Sequence, residues 1–253
     1  MNMGFADLHI HTVYSRDGTS TVPAVLKHVA DRTDLDVIAI TDHDEIRGAL
    51  LAEQLAPDYG IQVIPGSEIS TADGHLLALD IRQRVPAGLS MLETLQRVRD
   101  LGGFCIAAHP AAKGARSLRP AVIRRALADP EAAQTLRGIE TFNAGLIFQH
   151  SNAVAETLAK SAGTACLGNS DAHLLWMIGL SATEFNGHTA SELRRAIAER
   201  ATRPHKFWRI NSALLMSVWF VRFLMRKAGW ASVNAGPEFP IRLGRYRPAR
   251  DVI

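Results

Sequence analysis

Asp7-Leu8-His9-Ile10-His11 closes the apolar stretch that opens the chain, and its two histidines stand one residue apart. In an extended strand alternate side chains share a face, so both imidazoles project the same way, as a metal-binding pair does. Six further fragments lie outward from this stretch: Asp17-Gly18, Thr41-Asp42-His43-Asp44, Gly66-Ser67-Glu68, Gly74-His75, Ala108-His109-Pro110 and Ser170-Asp171-Ala172-His173. Together they carry more imidazoles and carboxylates than one ion can use.

The fragments sit in an alternating pattern. Apolar runs predict strands over residues 6–11, 37–41, 61–64, 75–81, 104–108, 138–142 and 165–168, with helical stretches between most of them. Pro23 suits the first turn of a helix, Ser90-Met91-Leu92-Glu93 and Thr189-Ala190-Ser191-Glu192 read as caps, and Gly102-Gly103 marks a stop. Ala72-Asp73-Gly74 predicts a tight turn that returns the chain and delivers His75. Alternating β/α units favour a parallel sheet. Candidate ligands following at least five different strands favour its closure into an α/β barrel, because a barrel gathers its βα loops on one face while an open sheet concentrates function at one switch point.

The bulk numbers agree with an enzyme of that size. At 253 residues and 47% hydrophobic content the chain can bury one large core, so the reading is one domain over residues 1–206 and a tail over residues 207–253. A formal charge of +3 admits an anionic substrate but is too small to argue for nucleic-acid binding by itself. Cys105 and Cys166 both lie in apolar runs and read as core thiols rather than a disulfide framework. With no basic region and apolar signal core at the N-terminus, the expected location is the cytoplasm.

His9, His11, Asp17, His43, Glu68, His75, His109, Asp171 and His173 form a nitrogen-rich, thiolate-free donor set, which suits zinc, manganese or iron better than magnesium or calcium. A catalytic zinc takes about three protein ligands and keeps one position open. Nine donors with one bridging carboxylate therefore match two or three divalent ions. Such a centre makes hydroxide near neutral pH and clamps the attacking and leaving oxygens of a displacement at phosphorus, so hydrolysis is the natural reaction. Asp7 and Asp42 fall on the other face of their strands and are expected to orient imidazoles or cap loops.

At this point the chain resembles the PHP family, named for polymerase and histidinol phosphatase domains. The resemblance rests on Asp7-Leu8-His9-Ile10-His11, Ser15-Arg16-Asp17-Gly18, Ile40-Thr41-Asp42-His43-Asp44, Pro65-Gly66-Ser67-Glu68-Ile69-Ser70, Gly74-His75-Leu76-Leu77-Ala78-Leu79, Ala108-His109-Pro110 and Ser170-Asp171-Ala172-His173, in that order over residues 7–173. It implies a distorted seven-stranded β/α, TIM-like barrel, a trinuclear centre and phosphoesterase activity. It also implies one ion on His9, His11, Glu68 and Asp171, a second on Glu68, His75 and His109, and a third on Asp17, His43 and His173, with Glu68 as the bridge. Gly145 stands where members of the family often carry a basic residue.

Substrate contacts are less sharply drawn. Asn143 follows a strand and either faces the site or caps a loop. Lys113, Arg116 and Arg119 place three cations in seven residues after His109, a loop that either grips a phosphate or is simply solvated; Arg16 is a similar candidate. Asp17, His173 or a bound water could serve as general acid. The expected reaction is hydrolysis of a phosphate mono- or diester in a nucleotide, an oligonucleotide end or a small phosphorylated metabolite, with a metal-bridging hydroxide as nucleophile. The competing readings are an amide hydrolase on the same centre and a non-catalytic, metal-stabilised partner module. Residues 207–227 hold an apolar segment too short to span a bilayer, which either packs on the barrel or a second subunit, or lies on a membrane surface through Trp208, Trp219, Arg222, Arg226 and Lys227.

Overall fold

A computed structural model describes residues 3–113, 116–146, 150–207 and 212–228. The described residues run through ten strands and eight α-helices. Strand β1 (Met3–Ile10) leads through α1 (Val22–Arg32) to β2 (Val37–Ile40), and α2 (Arg47–Leu55) leads to the short β3 (Gln62–Val63). Strands β4 (Gly66–Ser70) and β5 (His75–Leu79) form a hairpin, followed by α3 (Met91–Asp100), β6 (Phe104–Ala107), α4 (Pro120–Ala128), α5 (Pro130–Thr135) and β7 (Leu136–Asn143). Then come α6 (His150–Ala162), β8 (Ala165–Asn169), β9 (Ser181–Asn186), α7 (Ala190–Ala198), β10 (Arg203–Lys206) and α8 (Ser212–Lys227).

The local signals act as their chemistry requires. Thr21 accepts from the Ala24 N–H at the start of α1, and both Ser90/Glu93 and Thr189/Glu192 form reciprocal capping boxes on α3 and α7. Gly102, with φ of 79°, ends α3. Between β4 and β5 the turn at Ala72-Asp73-Gly74 sets an antiparallel register that pairs Ser70 with His75 and Glu68 with Leu77. Gly74 is required there: a methyl group at that position would overlap the Ser117–Leu118 backbone, which passes directly over it.

The closed seven-stranded barrel is not observed. The strands form two five-stranded sheets, ordered β10-β9-β1-β2-β3 and β4-β5-β6-β7-β8. Side chains take the place of backbone ladders where the sheets meet. At the β8/β9 seam the Thr183 hydroxyl accepts from the Gly168 N–H and donates to the Gly168 carbonyl, and at the β1/β8 seam the Leu8 N–H donates to Asn169 Oδ1. Among the described residues, isolated bridges join the sheets between Ile10 and Ala172 and, at the β2/β4 side, between His43 and Glu68. Three strands beyond the sequence expectation appear. Strand β4 carries Glu68, whereas β9 and β10 are polar hydrogen-bonding strands, β9 running antiparallel to β1 and β10 to β9.

Two apolar cores hold this frame. One lies between the strands and the helices and includes Leu26, Ile40, Leu95 and Ile139; the other is internal and includes Leu8, Leu79, Phe104 and Leu167, with Leu193 and Ile197 of α7. Burying each such side chain contributes about 1.5–3 kcal/mol. Arg194 of α7 pairs with Asp80, just beyond the end of β5 opposite to His75, so α7 plugs the end of the molecule away from the candidate ligands. Cys105 is buried and Cys166 half-buried, and neither is in a disulfide.

Val218 and Trp219 of α8, together with Phe207, pack against the first core, while Phe220, Val221, Leu224 and Met225 are exposed. Among the described residues no helix is long and apolar enough to cross a membrane. Trp208, the side chains of Arg222 and Arg226, and the tail over residues 229–253 lie outside the described residues.

Candidate metal centre

The predicted ligands converge from separate elements because the strands break register where the site begins. The pairing of β1 with β2 is irregular between Asp7 and Ile10, and that of β7 with β8 between Glu140 and Phe142. A bulge re-aims the residues beside it. Leu8 therefore belongs to the internal core while His9 points into the site, and Glu140 and Asn143 of one strand both reach it. His109 and Asp171 follow β6 and β8 with φ of 28° and 53°, unusual backbone for such side chains and a mark of a conformation imposed by the surroundings.

The nine candidates form one continuous set. Donor atoms lie within 4.8 Å of one another in four overlapping groups: His11 with Asp17, His43 and His173; His9 with His109 and Asp171; His9 with His11 and Glu68; and His43 with Glu68 and His75. Glu68 stands at the middle. Its Oε2 is 3.2 Å from His9 Nε2, 3.3 Å from His11 Nε2 and 3.1 Å from His43 Nδ1, and its Oε1 is 2.8 Å from His75 Nδ1 and 3.0 Å from His109 Nε2. Asp171 Oδ1 lies 3.4 Å from His9 Nε2 and 3.2 Å from His11 Nε2, while Asp17 Oδ2 lies 3.2 Å from His43 Nε2 and 3.6 Å from His173 Nε2.

Four rings are held from behind through Nδ1, leaving Nε2 for the centre. The partners are Glu140 Oε1 for His9 at 3.1 Å, Ser15 Oγ for His11 at 3.3 Å, Ser117 Oγ for His109 at 3.0 Å and the Asp171 carbonyl for His173 at 2.9 Å. Such outer partners fix the tautomer and raise the basicity of the inward nitrogen. Inward, His9 Nε2, His11 Nε2, His43 Nδ1, both nitrogens of His75 and Asp17 Oδ1 are buried without a hydrogen-bond partner. Buried lone pairs facing one another without donors are costly, and a shared cation removes that cost. The donor set therefore fits divalent metal ions.

Electrostatics points the same way. Burial alone would raise the pKa of Glu68, but His9, His43, His75 and His109 outweigh it and hold the carboxyl well below its ordinary range. Asp171 behaves likewise, burial being overcome by His9, His11 and His173, and Asp17 is lowered against burial by His173 and His43. Against burial, Asp171 and Glu68 push His11 up to about 10, and Asp171, Glu68 and Glu140 raise His9 well above its usual value. Each side of the cluster is stabilised in its charged form by the other, as in a site that trades protons for cations.

Glu140 is the residue the sequence reading missed. It is fully buried, and both oxygens take two donors: His9 Nδ1 and Asn169 Nδ2 on Oε1, the His109 N–H and Asn143 Nδ2 on Oε2. Its sequence signal is a carboxylate within the run that predicts a strand over residues 138–142. Asn143, read as a substrate contact, is fully buried, and its amide bridges Glu140 and Asp171. Asp7 and Asp42 hold backbone rather than imidazoles: Asp7 accepts from the Ser170 and Gly179 N–H groups, and Asp42 from the Thr12 N–H and hydroxyl.

Arg16, Lys113, Arg116 and Arg119 are all exposed. The basic loop is nevertheless fastened to the site, since the Arg116 carbonyl accepts from the His75 N–H and Ser117 holds His109. Gly114 and Ala115 of that loop lie outside the described residues.

Comparison with known proteins follows this geometry. The PHP domain matches residues 7–136, and a PHP-associated region matches residues 149–202. An uncharacterized protein of Methanocaldococcus jannaschii is 36% identical over 148 residues, covering 55% of this chain and 81% of the relative. A phosphoribosyl 1,2-cyclic phosphate 1,2-diphosphodiesterase of Eggerthella lenta is 35% identical over 98 residues, covering 36% of this chain and 37% of the relative. Among solved structures, a two-domain protein of Bacteroides vulgatus containing a predicted PHP-like metal-dependent phosphoesterase superposes with a TM-score of 0.67 at 20% identity, covering 81% of this chain and 65% of that one. The last likeness is one of fold.

Proposed function

The chain belongs to the PHP domain family, and from that premise we propose that it is a metal-dependent phosphoesterase acting on a phosphate mono- or diester of a nucleotide, an oligonucleotide end or a small phosphorylated metabolite. The observation that carries this reading is the convergence of inward, partnerless imidazole nitrogens around the buried Glu68 carboxylate. His9, His11 and Asp171 would hold one ion with Glu68, His75 and His109 a second with the same carboxylate, and Asp17, His43 and His173 a third. Zinc, manganese or iron suits these donors. Divalent ions supply Lewis acidity and charge neutralisation at a phosphoryl group.

The remaining roles fall to the chain itself. Glu68 keeps two groups of ligands at a fixed spacing, while Glu140 and Asn143 hold His9 and Asp171 in line. Asp17 and His173 have side chains 16% and 18% exposed, against 0–1% for His9, His11 and Glu68. They form a more open corner of the cluster, where a departing oxygen would meet solvent and take its proton from a water held there, since Asp17 and His173 would present lone pairs rather than protons to the ion. Lys113, Arg116, Arg119 and Arg16 supply exposed cations for the remaining phosphate charge. A cytoplasmic setting, in which Cys105 and Cys166 would remain core thiols, belongs to the same proposal. The exposed apolar side of α8 is where a membrane surface or a second copy would make contact.

Phosphate release measured across a panel of nucleotides, oligonucleotides and sugar phosphates, with and without added metal, tests the proposal. Turnover should require metal, and Glu68→Gln should lower it at least about a hundredfold by removing the charge shared between ligand groups. Cleavage of amides with no phosphoesterase activity would overturn the proposed reaction.

A further inference from the structure

Helix α8 meets the site through Trp219. The Trp219 indole N–H donates to the Asp17 carbonyl at 3.2 Å, across 202 positions of sequence. Its ring stands edge-on to the His173 imidazole, with centroids 5.6 Å apart and planes at 73°. One turn later, Phe223 stacks on the indole at 5.4 Å and 22°. Asp17 and His173 are neighbours in the outermost of the four donor groups.

That corner is built on loops, closed by the Val13 N–H on the Ser20 carbonyl and the Ser15 N–H on the Thr12 carbonyl. Residues 12–20 form turns and bends rather than a strand or helix, so the aim of the Asp17 carboxylate depends on what fixes its backbone. Gly18 brings the segment back against Thr12, where any side chain would collide with the Thr12 backbone. His173 is tethered by the Thr19 hydroxyl on its own carbonyl and by its Nδ1 bond to the Asp171 carbonyl. Trp219 touches both Asp17 and His173 from a helix remote in sequence from the loops that carry them.

We propose that Trp219 is a positioning residue for the Asp17–His173 corner, so that α8 works as a strap whose docking completes the third group of ligands. The inference rests on reading the cluster as a metal centre. A strap of this kind links the outer ligand group to a helix whose other face is exposed, whereas His9, Glu68, His75 and His109 are held by the strands and by Glu140 and Ser117. Loss of the indole should weaken one ion and spare the others.

The test uses the full chain, with Trp219→Phe and Trp219→Ala beside the parent. Calorimetric titration with Mn²⁺ should show the weakest-bound ion losing about tenfold or more in affinity in Trp219→Ala, as loss of an outer-shell partner does, with the tighter binding unchanged. Titration with Co²⁺ gives a spectroscopic reading: the absorption bands contributed by the last ion should shift in both variants. Parent-minus-Trp219→Phe fluorescence should also show an indole signal quenched as that ion binds. If Trp219→Ala fails to fold, Trp219→Phe, which keeps an aromatic ring but removes the N–H donor, carries the same decision. Unchanged metal affinities and Co²⁺ spectra in the folded variants would overturn the strap while leaving the metal centre standing. A parent chain that binds no ion would overturn the metal centre and the strap with it.

Discussion

Glu140 Oε1 lies 3.1 Å from His9 Nδ1, both side chains fully buried, and this contact decides which nitrogen of His9 faces the centre. A carboxylate can only accept, so Nδ1 must carry the proton and Nε2 presents its lone pair inward. Burial opposes the charge of Glu140, yet His9 and His109 hold its pKa below the ordinary range.

Replacing Glu140 with Gln tests that relationship. The amide nitrogen would face two groups that already donate, at either Oε1 or Oε2, so the fold should lose about 1–3 kcal/mol while surviving. Metal affinity should fall about 10–100-fold through misorientation of His9. Metal titration beside a thermal melt separates the two effects. Native metal affinity in Glu140→Gln would show that the tautomer of His9 is set elsewhere.

The basic loop offers a second prediction. With Lys113, Arg116 and Arg119 exposed and their loop anchored to His75 and His109 through backbone and Ser117, removal of the three charges should spare the metal ligands. The triple alanine variant is expected to raise KM for phosphorylated substrates, to weaken its salt dependence and to leave metal content unchanged. Steady-state kinetics at two ionic strengths decide the matter, and an unchanged KM and salt response would return the loop to plain solvated surface.

His28 gives a pH prediction independent of the metal. On α1, burial and then the Arg32 charge push its pKa down to about 4 from 6.5. A depressed pKa means the unfolded chain binds the proton more readily. The His28 contribution is thus intact above pH 6.5 and is lost as pH falls through 4. Between pH 7 and 4.5 it should remove about 2 kcal/mol. Urea melts of the parent and His28→Phe should differ in slope over that interval, the variant losing less. Parallel slopes would contradict a neutral, half-buried His28.

Much of the site could be read from the sequence because its ligands occupy strand ends, where imidazole and carboxylate interrupt an apolar pattern. His9 and His11 announce themselves by spacing, and the hairpin that delivers His75 by its Asp73-Gly74 turn. Glu140 and Asn143 were harder because a register break sets their direction, and no periodicity encodes it. Strands β9 and β10 escaped notice since their sequences, Ser-Ala-Thr-Glu-Phe-Asn and Arg-Pro-His-Lys, lack an apolar run. Sheet closure differs for a related reason: the Asn169 amide occupies the seam between the first and last expected strands, and β9, bound to β8 through the Thr183 hydroxyl, pairs with β1 instead. The reach of Trp219 to Asp17 is a tertiary contact with no local signature.

Metal stoichiometry is the most direct test of the account. Nine donors converging in overlapping groups around Glu68 exceed the needs of one ion. Elemental analysis of the purified full chain, equilibrated with saturating Zn²⁺ or Mn²⁺ and freed of excess, should find two or three ions per chain, falling in Glu68→Gln. A maximum of one ion per chain would contradict the multinuclear centre on which the proposed chemistry depends.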